Sequence, residues 1–297
     1  MKRREFAKLT GLSAVAVSTT GFIKFNGKLF EGDCVTTTDI LGPFYRPNSP
    51  IRNNLLIEGT TGDIVELLGI VRHKDCQSPY ENAKIEIWHC SADGIYDNDS
   101  DEYQYRGTTY CDSDGKYKFI TQIPVPYDIG EGLFRPAHFH LMISAPGYQS
   151  LITQIYFHGD PYLDKDSSSS ALKAENRILN ITDVNNVKTI VFDCNMNDRL
   201  KASYSSLAKI IGKYRHENNG KIYYKEYFEK DGLLWMKNNV YGKSYEYIGE
   251  NKFEYGGMSP GLYERLQFDL KNEGIVKLKL TSLWENGIKR KRTYTKI

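Results

Sequence analysis

The sequence has almost no excess charge of either sign. Its 39 Lys and Arg residues face 37 Asp and Glu residues, giving a formal net charge of +2. So weak a field gives no basis for binding nucleic acid or anionic lipid. We therefore expect no nucleic-acid partner, and any ligand has to be inferred from local groups of side chains.

Closely spaced cysteine pairs are also missing. None of the five cysteines forms a C-x-x-C motif, which argues against a thiolate zinc site or a thioredoxin-like redox pair. Their number is odd, so at least one is unpaired, and the others fit disulfides in an oxidising compartment. We expect structural disulfides or buried thiols. The cysteines are Cys34, Cys76, Cys90, Cys111 and Cys194.

No hydrophobic run near the start is long enough for a stable membrane span. Residues 9–23 are mildly apolar, but the stretch is short and rich in Thr, Ser and Gly. It follows Arg3 and Arg4, with Phe6 close behind, which resembles a twin-arginine export signal that carries folded proteins. An ordinary signal with two chance arginines is the alternative. We predict an export signal and linker over residues 1–30, and a protein placed in the periplasm or outside the cell.

Long helical patterns are scarce as well, whereas the chain contains 22 Tyr and 13 Phe residues. Aromatic side chains suit a half-buried pleated sheet, so the composition favours strands. Short apolar runs alternate with clusters of Gly, Pro, Asn and Asp, as in strands separated by turns. We predict a mostly β protein whose larger domain, residues 31–197, is a β-sandwich. The runs cover residues 64–71, 83–88, 117–123, 138–144 and 151–157.

After Leu200 the pattern changes to strands rich in Tyr, Lys and Glu, separated by dipeptides typical of hairpin turns. It predicts a small, separate antiparallel β domain over residues 198–297, a meander or half-barrel of unassigned role. We find no metal-ligand or nucleophile group in it, and interpret the basic run 289–292 as a solvated strand edge. The turn dipeptides are Asn219-Gly220, Asp231-Gly232, Glu273-Gly274 and Asn286-Gly287.

The most informative segment for chemistry is residues 135–140, which read Arg-Pro-Ala-His-Phe-His. His138 and His140 lie two apart in a strand-like stretch, so their side chains project from one face and can bind one metal ion. Such a pair alone is weak grounds, because paired histidines also occur by chance. Upstream, Tyr96 and Tyr127 each lie at a turn rather than in mid-strand. On their own, these tyrosines would be core or rim residues.

Taken together, the chain resembles the intradiol ring-cleavage dioxygenases over roughly residues 33–196. The resemblance rests on the order of six residues and on several short motifs. The six residues are Tyr96, Tyr127, Arg135, His138, His140 and Gln154. The motifs are Leu41-Gly42-Pro43-Phe44-Tyr45, Ile87-Trp88-His89-Cys90, Tyr105-Arg106-Gly107, Asp114-Gly115-Lys116-Tyr117 and the stretch 153–161.

This resemblance implies a mononuclear non-haem Fe(III) site whose ligands are Tyr96, Tyr127, His138 and His140. The chemistry of the donors agrees, because hard phenolate oxygens suit a hard ferric ion, whereas zinc usually recruits Cys or carboxylate. A free tyrosine is neutral at pH 7, but an adjacent trivalent cation makes the phenolate the stable form. The tyrosines would therefore help to neutralise the metal.

The resemblance also implies different roles for the ligands and for one arginine. Tyr127 is the axial ligand that leaves when a catechol chelates, Tyr96 and His140 stay equatorial, and His138 stays axial. Arg135 is expected to stabilise the negative charge that develops on the ring, as a fixed guanidinium can. A purely structural salt bridge is the alternative for Arg135.

Gln154 is implied to orient the substrate or O2 by hydrogen bonding, with a buried structural amide as the alternative. Residues 41–45 are expected to line the mouth of the pocket, although packing alone would explain them. We interpret the remaining histidines as structural: His73, His89, His158 and His216.

The function implied is that of an exported enzyme that uses O2 to open a catechol-type ring between its two hydroxyl-bearing carbons, giving a muconate-type diacid. The segment around Tyr127 reads Pro-Val-Pro-Tyr-Asp where the family has Pro-Gly-x-Tyr, so the particular catechol stays open. A metal-free envelope β-sandwich that binds a polymer or partner is the alternative. A third hypothesis keeps the iron site and makes the residues after Leu200 a surface tether. Oligomeric state, including a homo-oligomer, stays open.

Overall fold

The computed structural model describes residues 23–25, 30–32, 35–171, 174–237, 243–259, 261–271, 274–284 and 286–297. Most of the predicted export signal, Cys34 and Glu273 lie outside these ranges. Two short strands, β1 (Ile23–Phe25) and β2 (Phe30–Gly32), pair antiparallel with each other. Within the described ranges, no helix combines the length and apolar character needed to cross a membrane.

Two five-stranded sheets make up the next part of the chain. Their strands are β3 (Ile64–Arg72), β4 (Lys84–Trp88), β5 (Arg106–Tyr110), β6 (Lys116–Gln122), β9 (His138–Ser144), β10 (Leu151–Phe157), β11 (Ile178–Leu179), β12 (Thr182–Val184), β13 (Val187–Val191) and β14 (Cys194–Asn195). A separate small hairpin joins β7 (Tyr127–Asp128) to β8 (Phe134–Arg135). The first sheet has the order β11, β10, β9, β4, β5. In the second, β3 pairs with β6 on one side and with β13 and β14 on the other.

The predicted strands agree closely with these bounds, and the predicted mostly β fold is confirmed. Two of them, 138–144 and 151–157, have the observed ends. The runs 64–71 and 83–88 differ by one residue at one end, and 117–123 is shifted by one residue at both ends. After β10, a 3₁₀ turn, Ala174–Arg177, is followed directly by β11.

The core lies between the two sheets. Val65 and Phe119 from the second sheet pack in one buried cluster with Ile85, Phe139 and Leu141 from the first. Successive side chains of a strand point to opposite faces. Because the odd-numbered residues of β9 enter this core, the even-numbered ones lie on the outer face of the first sheet, and that is where chemistry can be placed.

The C-terminal strands form a closed eight-stranded antiparallel barrel in sequential order. Its strands are β15 (Gly212–Asn218), β16 (Lys221–Lys230), β17 (Leu233–Met236), β18 (Lys243–Gly249), β19 (Lys252–Tyr255), β20 (Tyr263–Asp269), β21 (Lys277–Leu283) and β22 (Lys289–Lys296). The strands pair as the predicted meander, but the half-barrel alternative is wrong, because β22 returns to pair with β15. Closure removes the free edges that a half-barrel would expose.

Turn chemistry explains the register of this barrel. Asn219 and Gly220, at φ 50° and 73°, connect β15 to β16, as a type I′ hairpin turn requires. Glu250 and Asn251 do the same between β18 and β19, at φ 51° and 57°, although no glycine follows to predict that turn. The basic residues 289–292 lie in β22 with exposed side chains, as predicted.

Helix α1 (Tyr204–Ile210) covers one end of the barrel. Ser203 caps the helix by accepting a hydrogen bond from the Ser206 backbone N–H. Leu207 and Ile210 pack in the same buried cluster as the inward-facing aromatic side chains of the barrel. The domain boundary drawn after Asn197 stays a prediction.

The barrel also contacts the sandwich through buried polar groups. Arg199, just before α1, forms an ion pair with Glu246 of β18 at 3.2 Å, and the backbone N–H of Ser150 donates to the same carboxylate. In the loop between β19 and β20, Ser259 donates to Asp39 at 2.9 Å. The two parts are therefore joined by specific interactions rather than only by the connecting chain.

Candidate metal centre

Strand register assembles the first half of the site on the outer face of the first sheet. His140 of β9 lies opposite Trp88 of β4 and opposite Gln154 of β10, while His138 lies opposite Tyr156. Directly opposed side chains share a face, so the two predicted histidine ligands and Gln154 are brought together by pairing alone. All are buried.

The second half comes from the two tyrosines in the loops that cover this face. The Tyr96 ring stacks on Phe44, with ring centroids 4.3 Å apart, and Tyr127 lies at the start of β7, paired with Arg135. The Tyr96 and Tyr127 rings are 5.6 Å apart, and each side chain influences the proton equilibrium of the other. The four predicted ligands are therefore neighbours.

Three donor atoms converge closely. His138 Nε2 is 3.2 Å from His140 Nε2 and 3.3 Å from the Tyr96 hydroxyl oxygen. Two donors bound to one metal at about 2.1 Å and at a right angle lie about 3 Å apart. These separations are those of neighbouring ligands around a single ion.

The histidine rings are oriented so that their Nε2 atoms can act as metal ligands. His138 Nδ1 donates to the Pro136 carbonyl oxygen at 2.6 Å, so its Nε2 carries the lone pair. The His140 ring stacks on the Trp88 indole, with centroids 4.9 Å apart and an interplanar angle of 5°. Gly42 packs against the ring, since a Cβ there would lie 2.9 Å from His140 Cε1. A side chain at position 42 would displace the ligand.

Burial keeps these groups neutral when no cation is present. It lowers the pKa of His138 to about 4 and lowers the pKa of His140 well below its ordinary value. It raises the pKa of Tyr96 well above 10, and it raises the pKa of Tyr127 against the opposing effect of the Arg135 guanidinium. Neutral imidazoles are ready to bind a metal, whereas the phenolates need one nearby to form.

The donor set fits a ferric ion. Among the described residues, no three His, Cys, Asp or Glu side chains are grouped as a metal site, so a metal here depends on tyrosine oxygen. The Nε2 atoms of His138 and His140 point at each other rather than at N–H or O–H donors outside the site. Buried lone pairs that converge without enough protons between them are what a cation would satisfy.

Arg135 lies beside the tyrosines and is fixed from two sides. Its Nε is 2.8 Å from Asp166 Oδ2 in an ion pair, both side chains being nearly buried, and its Nη2 donates to Gln154 Oε1 at 3.1 Å. The structural alternative for Arg135 is therefore present in part. The same contacts also hold the guanidinium next to Tyr127, whose proton equilibrium it influences.

Gln154 is fully buried, and the protein itself uses its polar atoms. Its Nε2 donates to the Ile40 carbonyl oxygen at 3.0 Å, and its Oε1 accepts from Arg135 and from the Tyr156 hydroxyl. The structure thus places Gln154 behind Arg135 as a support. Its predicted role in orienting substrate or O2 stays a prediction.

The sequence reasoning missed two carboxylates that support the site. Asp166, in a polar, serine-rich loop, pairs with Arg135. Asp160 accepts from the Ala137 backbone N–H at 2.7 Å and so fixes the segment that leads into His138. For Asp160 a signal existed, because it belongs to the matched stretch 153–161. Nothing local marked Asp166.

The surrounding residues complete an apolar enclosure. Cys90 is a buried free thiol packed with Trp88 and Tyr96, whereas Cys76 is disulfide-bonded. His89 is buried away from the ligands, with Nδ1 2.7 Å from the Cys90 carbonyl oxygen and Nε2 2.7 Å from Thr121 Oγ1. This placement agrees with its interpretation as structural.

The chain is similar in sequence to known dioxygenases. A family described as "Dioxygenase" matches residues 40–202. A chlorocatechol 1,2-dioxygenase of Rhodococcus opacus is 37% identical over 163 residues, covering 47% of this chain and 63% of that protein. A catechol 1,2-dioxygenase of Candida albicans is 36% identical over 152 residues, covering 44% and 50%. The chain thus spans about half to somewhat under two thirds of the length of these relatives.

Solved structures agree on the fold. The 3-chlorocatechol 1,2-dioxygenase of Rhodococcus opacus 1CP matches with a TM-score of 0.51 and 23% identity, over 55% of this chain and 73% of that one. The hydroxyquinol 1,2-dioxygenase of Pseudomonas putida DLL-E4 matches with a TM-score of 0.50 and 25% identity, over 56% and 67%. Since the family match covers more than half of the residues and the site motifs lie within it, the chain belongs to the intradiol ring-cleavage dioxygenases.

Proposed function

We propose that this protein is a non-haem Fe(III) dioxygenase that cleaves a catechol-type ring between its two hydroxyl-bearing carbons. The observation that carries the proposal is the convergence of three donor atoms beside Tyr127. His138 Nε2 lies 3.3 Å from the Tyr96 oxygen and 3.2 Å from His140 Nε2. The curated relatives are named as 1,2-dioxygenases of catechol, chlorocatechol and hydroxyquinol, which supports a catechol-type substrate. Both atoms of O2 would end in the two carboxyl groups of a muconate-type product.

Tyr96, Tyr127, His138 and His140 would hold the metal. When bound, ferric iron would supply a Lewis acid that holds both catechol oxygens and leaves the electron-rich ring open to reaction with O2. Tyr127 is only partly buried, whereas Tyr96 is enclosed by Phe44 and the histidines. The ligand nearer to solvent is the better candidate for one that moves aside and accepts a proton from the substrate.

Arg135 would then stabilise negative charge on the bound ring. Its guanidinium is held beside Tyr127 by Asp166 and Gln154, and a fixed cation stabilises negative charge without having to reorganise during the reaction. Catechol loses two protons on chelation, so the bound ring carries charge for Arg135 to stabilise. Trp88, Phe44 and Leu41 exclude water around the ligands, which strengthens that interaction.

The test is to purify the protein with iron and to follow catechol cleavage. Tyrosinate bound to Fe(III) gives a visible charge-transfer band, so the preparation should be coloured, should convert catechol to a muconate-type diacid, and should place both atoms of ¹⁸O2 in it. Iron removal by chelation should abolish the colour and the activity together. A colourless protein that takes up no iron and cleaves no catechol contradicts the proposal.

The same experiment addresses the metal-free binding module, the alternative from the sequence. That hypothesis needs the His and Tyr residues to be incidental, yet four of them meet at one buried point. The similarity to named dioxygenases also does not favour it.

We also propose that the protein is exported by a twin-arginine route. Arg3, Arg4 and Phe6 support this, as does the advantage of loading iron into a folded site before transport. Replacing Arg3 and Arg4 together by Lys keeps the charge and should leave the precursor inside the cell. Unimpaired export of that variant would instead indicate the ordinary route for unfolded chains.

A further inference from the structure

The barrel places one of its serines inside the hydrogen-bond network that supports the candidate centre. Ser259 lies in the loop between β19 and β20, is 3% exposed, and donates to Asp39 Oδ1 at 2.9 Å. Its oxygen is also 3.0 Å from Ser168 Oγ. Because the single Ser259 proton goes to the carboxylate, Ser168 is the donor in the second hydrogen bond.

One branch of the network runs from Asp39 to Arg135. The Tyr156 hydroxyl is 2.9 Å from Asp39 Oδ2 and 2.8 Å from Gln154 Oε1, and Gln154 Oε1 accepts from Arg135. Tyr156 has one proton for two acceptors. The more completely other donors satisfy Asp39, the more of that proton is available to Gln154, which in turn orients the guanidinium.

A second branch reaches the same arginine from the other side. The backbone N–H of Ser168 donates to Asp166 Oδ1 at 3.0 Å, and Asp166 Oδ2 pairs with Arg135 Nε. Ser168 is therefore bonded through its side chain to Ser259 and through its backbone to the partner of Arg135. Both branches begin at Ser259 and end on one guanidinium.

We propose that Ser259 is a positioning residue, through which the barrel sets the orientation of Arg135. This rests on the proposed function, because Arg135 matters to rate only if the site carries out ring cleavage. It also makes the barrel a working part of the catalytic unit rather than a detachable tether.

The hydrogen bond between Ser259 and Asp39 can influence Arg135 because the residues around it are buried. Asp39, Gln154, Tyr156 and Ser168 are each 0% exposed, so water does not replace a lost donor. Without Ser259, the Ser168 hydroxyl loses its acceptor, and Asp39 Oδ1 is left with the Ile40 backbone N–H at 2.7 Å. A buried polar group that is left short of a partner costs more than the hydrogen bond itself contributes. Asp39 also pairs with Arg177, and with one donor fewer its carboxyl group draws more strongly on the Tyr156 proton.

The experiment compares Ser259→Ala with Ser282→Ala in the full-length, iron-loaded protein. Ser282 is a matched control, a barrel serine 2% exposed that accepts one hydrogen bond, from Trp284 Nε1 at 3.0 Å, outside the network. We expect Ser259→Ala to lower kcat for catechol about fivefold, the rate equivalent of one ordinary hydrogen bond. The visible band of the resting enzyme should not change, and Ser282→Ala should keep the wild-type kcat. Ser259→Thr, which retains the hydroxyl, should recover most of the loss.

A double-mutant cycle tests whether the effect passes through the guanidinium. In an Arg135→Met background, Ser259→Ala should have no further effect on kcat, because the group it positions is gone. Ser168→Ala, which breaks only the second branch, covers the case in which Ser259→Ala does not fold, and should lower kcat about twofold as part of one hydrogen-bond contribution. An unchanged kcat in Ser259→Ala, or the same fivefold loss in both backgrounds, overturns the inference. A wild-type protein that cleaves no catechol instead overturns the proposed function.

Discussion

The sandwich and the barrel both bury tyrosines, but they treat the hydroxyl groups differently. In the barrel, Tyr214 donates to the Ile210 carbonyl oxygen at 2.6 Å and Tyr245 donates to Glu264, so each proton has a fixed acceptor. In the sandwich, the Tyr96 hydroxyl faces a histidine nitrogen and a second tyrosine. Burial raises the pKa of Tyr96 and of Tyr245 alike.

The difference shows that burial and a raised pKa do not by themselves mark a functional tyrosine. For Tyr214 and Tyr245 of the barrel, the partners are acceptors that need the proton, and the hydroxyl stabilises the fold. For Tyr96, the partners can themselves supply lone pairs to a metal, and removing the proton gives a set of ligands around one point. The identity of the neighbours separates the two roles.

The largest effect on activity is expected when the hydroxyl of Tyr127 is removed. In Tyr127→Phe three protein ligands remain, so iron should still bind, but the departing base is gone. Catechol chelation should slow by about 10²–10⁴-fold, the usual contribution of a positioned base. Stopped-flow mixing of enzyme and catechol without oxygen measures this step.

Tyr96→Phe is the matched variant. It removes the ligand expected to stay bound throughout, so the visible band and iron retention should suffer more than the chelation step. If instead Tyr127→Phe chelates catechol at the wild-type rate and Tyr96→Phe does not, the two roles are reversed.

A second test concerns acid stability, which we expect to originate in the sandwich. Burial lowers the pKa of His89 to about 3, against about 6.5 in an unfolded chain. Between these values the unfolded state binds the extra proton, so the free energy of unfolding falls as the pH falls below about 6.5. The slope attributable to this histidine is about 1.4 kcal/mol per pH unit.

Urea unfolding of the iron-free protein at several pH values between 7 and 4.5 measures that slope. In His89→Gln the slope should be smaller by this amount, although the variant is less stable at pH 7. Equal slopes in the two proteins would assign the acid sensitivity to other groups.

A smaller effect, confined to stability, is expected when a barrel tyrosine loses its hydroxyl. Tyr245→Phe removes a donor from buried Glu264, which keeps its ion pair with Lys243 at 3.0 Å. The loss should be about 1–3 kcal/mol of unfolding free energy, with no change in kcat, iron content or colour. Thermal unfolding measures the change in stability, and a steady-state assay measures kcat. If the variant is fully folded but has lost activity, Tyr245 is not a purely structural tyrosine.

The smallest change in stability is expected from substitutions in the basic run of β22, residues 289–292. The side chains of residues 289–292 are exposed, so Lys289→Ala or Lys291→Ala should change stability by no more than about 0.5 kcal/mol. Neither should change the rate of catechol cleavage. A large loss in either assay would show that this strand contacts something beyond solvent.

Much of the sandwich and its site could be predicted from the sequence, because the relevant patterns are local. The spacing of His138 and His140 places both on one face of β9, and the strand has the predicted ends. The hairpin between β15 and β16 follows from Asn219-Gly220. In each case two to seven adjacent residues contain the whole signal.

The parts that were missed depend on residues far apart in the chain. Barrel closure pairs Tyr214 with Lys296, and no local pattern distinguishes a meander that closes from one that does not. The Ser259 contact to Asp39 joins residues 220 positions apart. Asp166 lies in an ordinary polar loop, and only its position opposite Arg135 gives it a role.

The burial of Cys90 has a consequence for oxidation near the site. Its thiol is buried between Trp88 and Tyr96, and burial raises its pKa to about 11. A thiolate would be a soft ligand and a target for oxidation in an enzyme that handles O2. Without a metal, this sulfur keeps its proton at neutral pH, so it is not the thiolate that oxidation requires. The apolar lining thus protects a thiol that lies beside Tyr96 from oxidation.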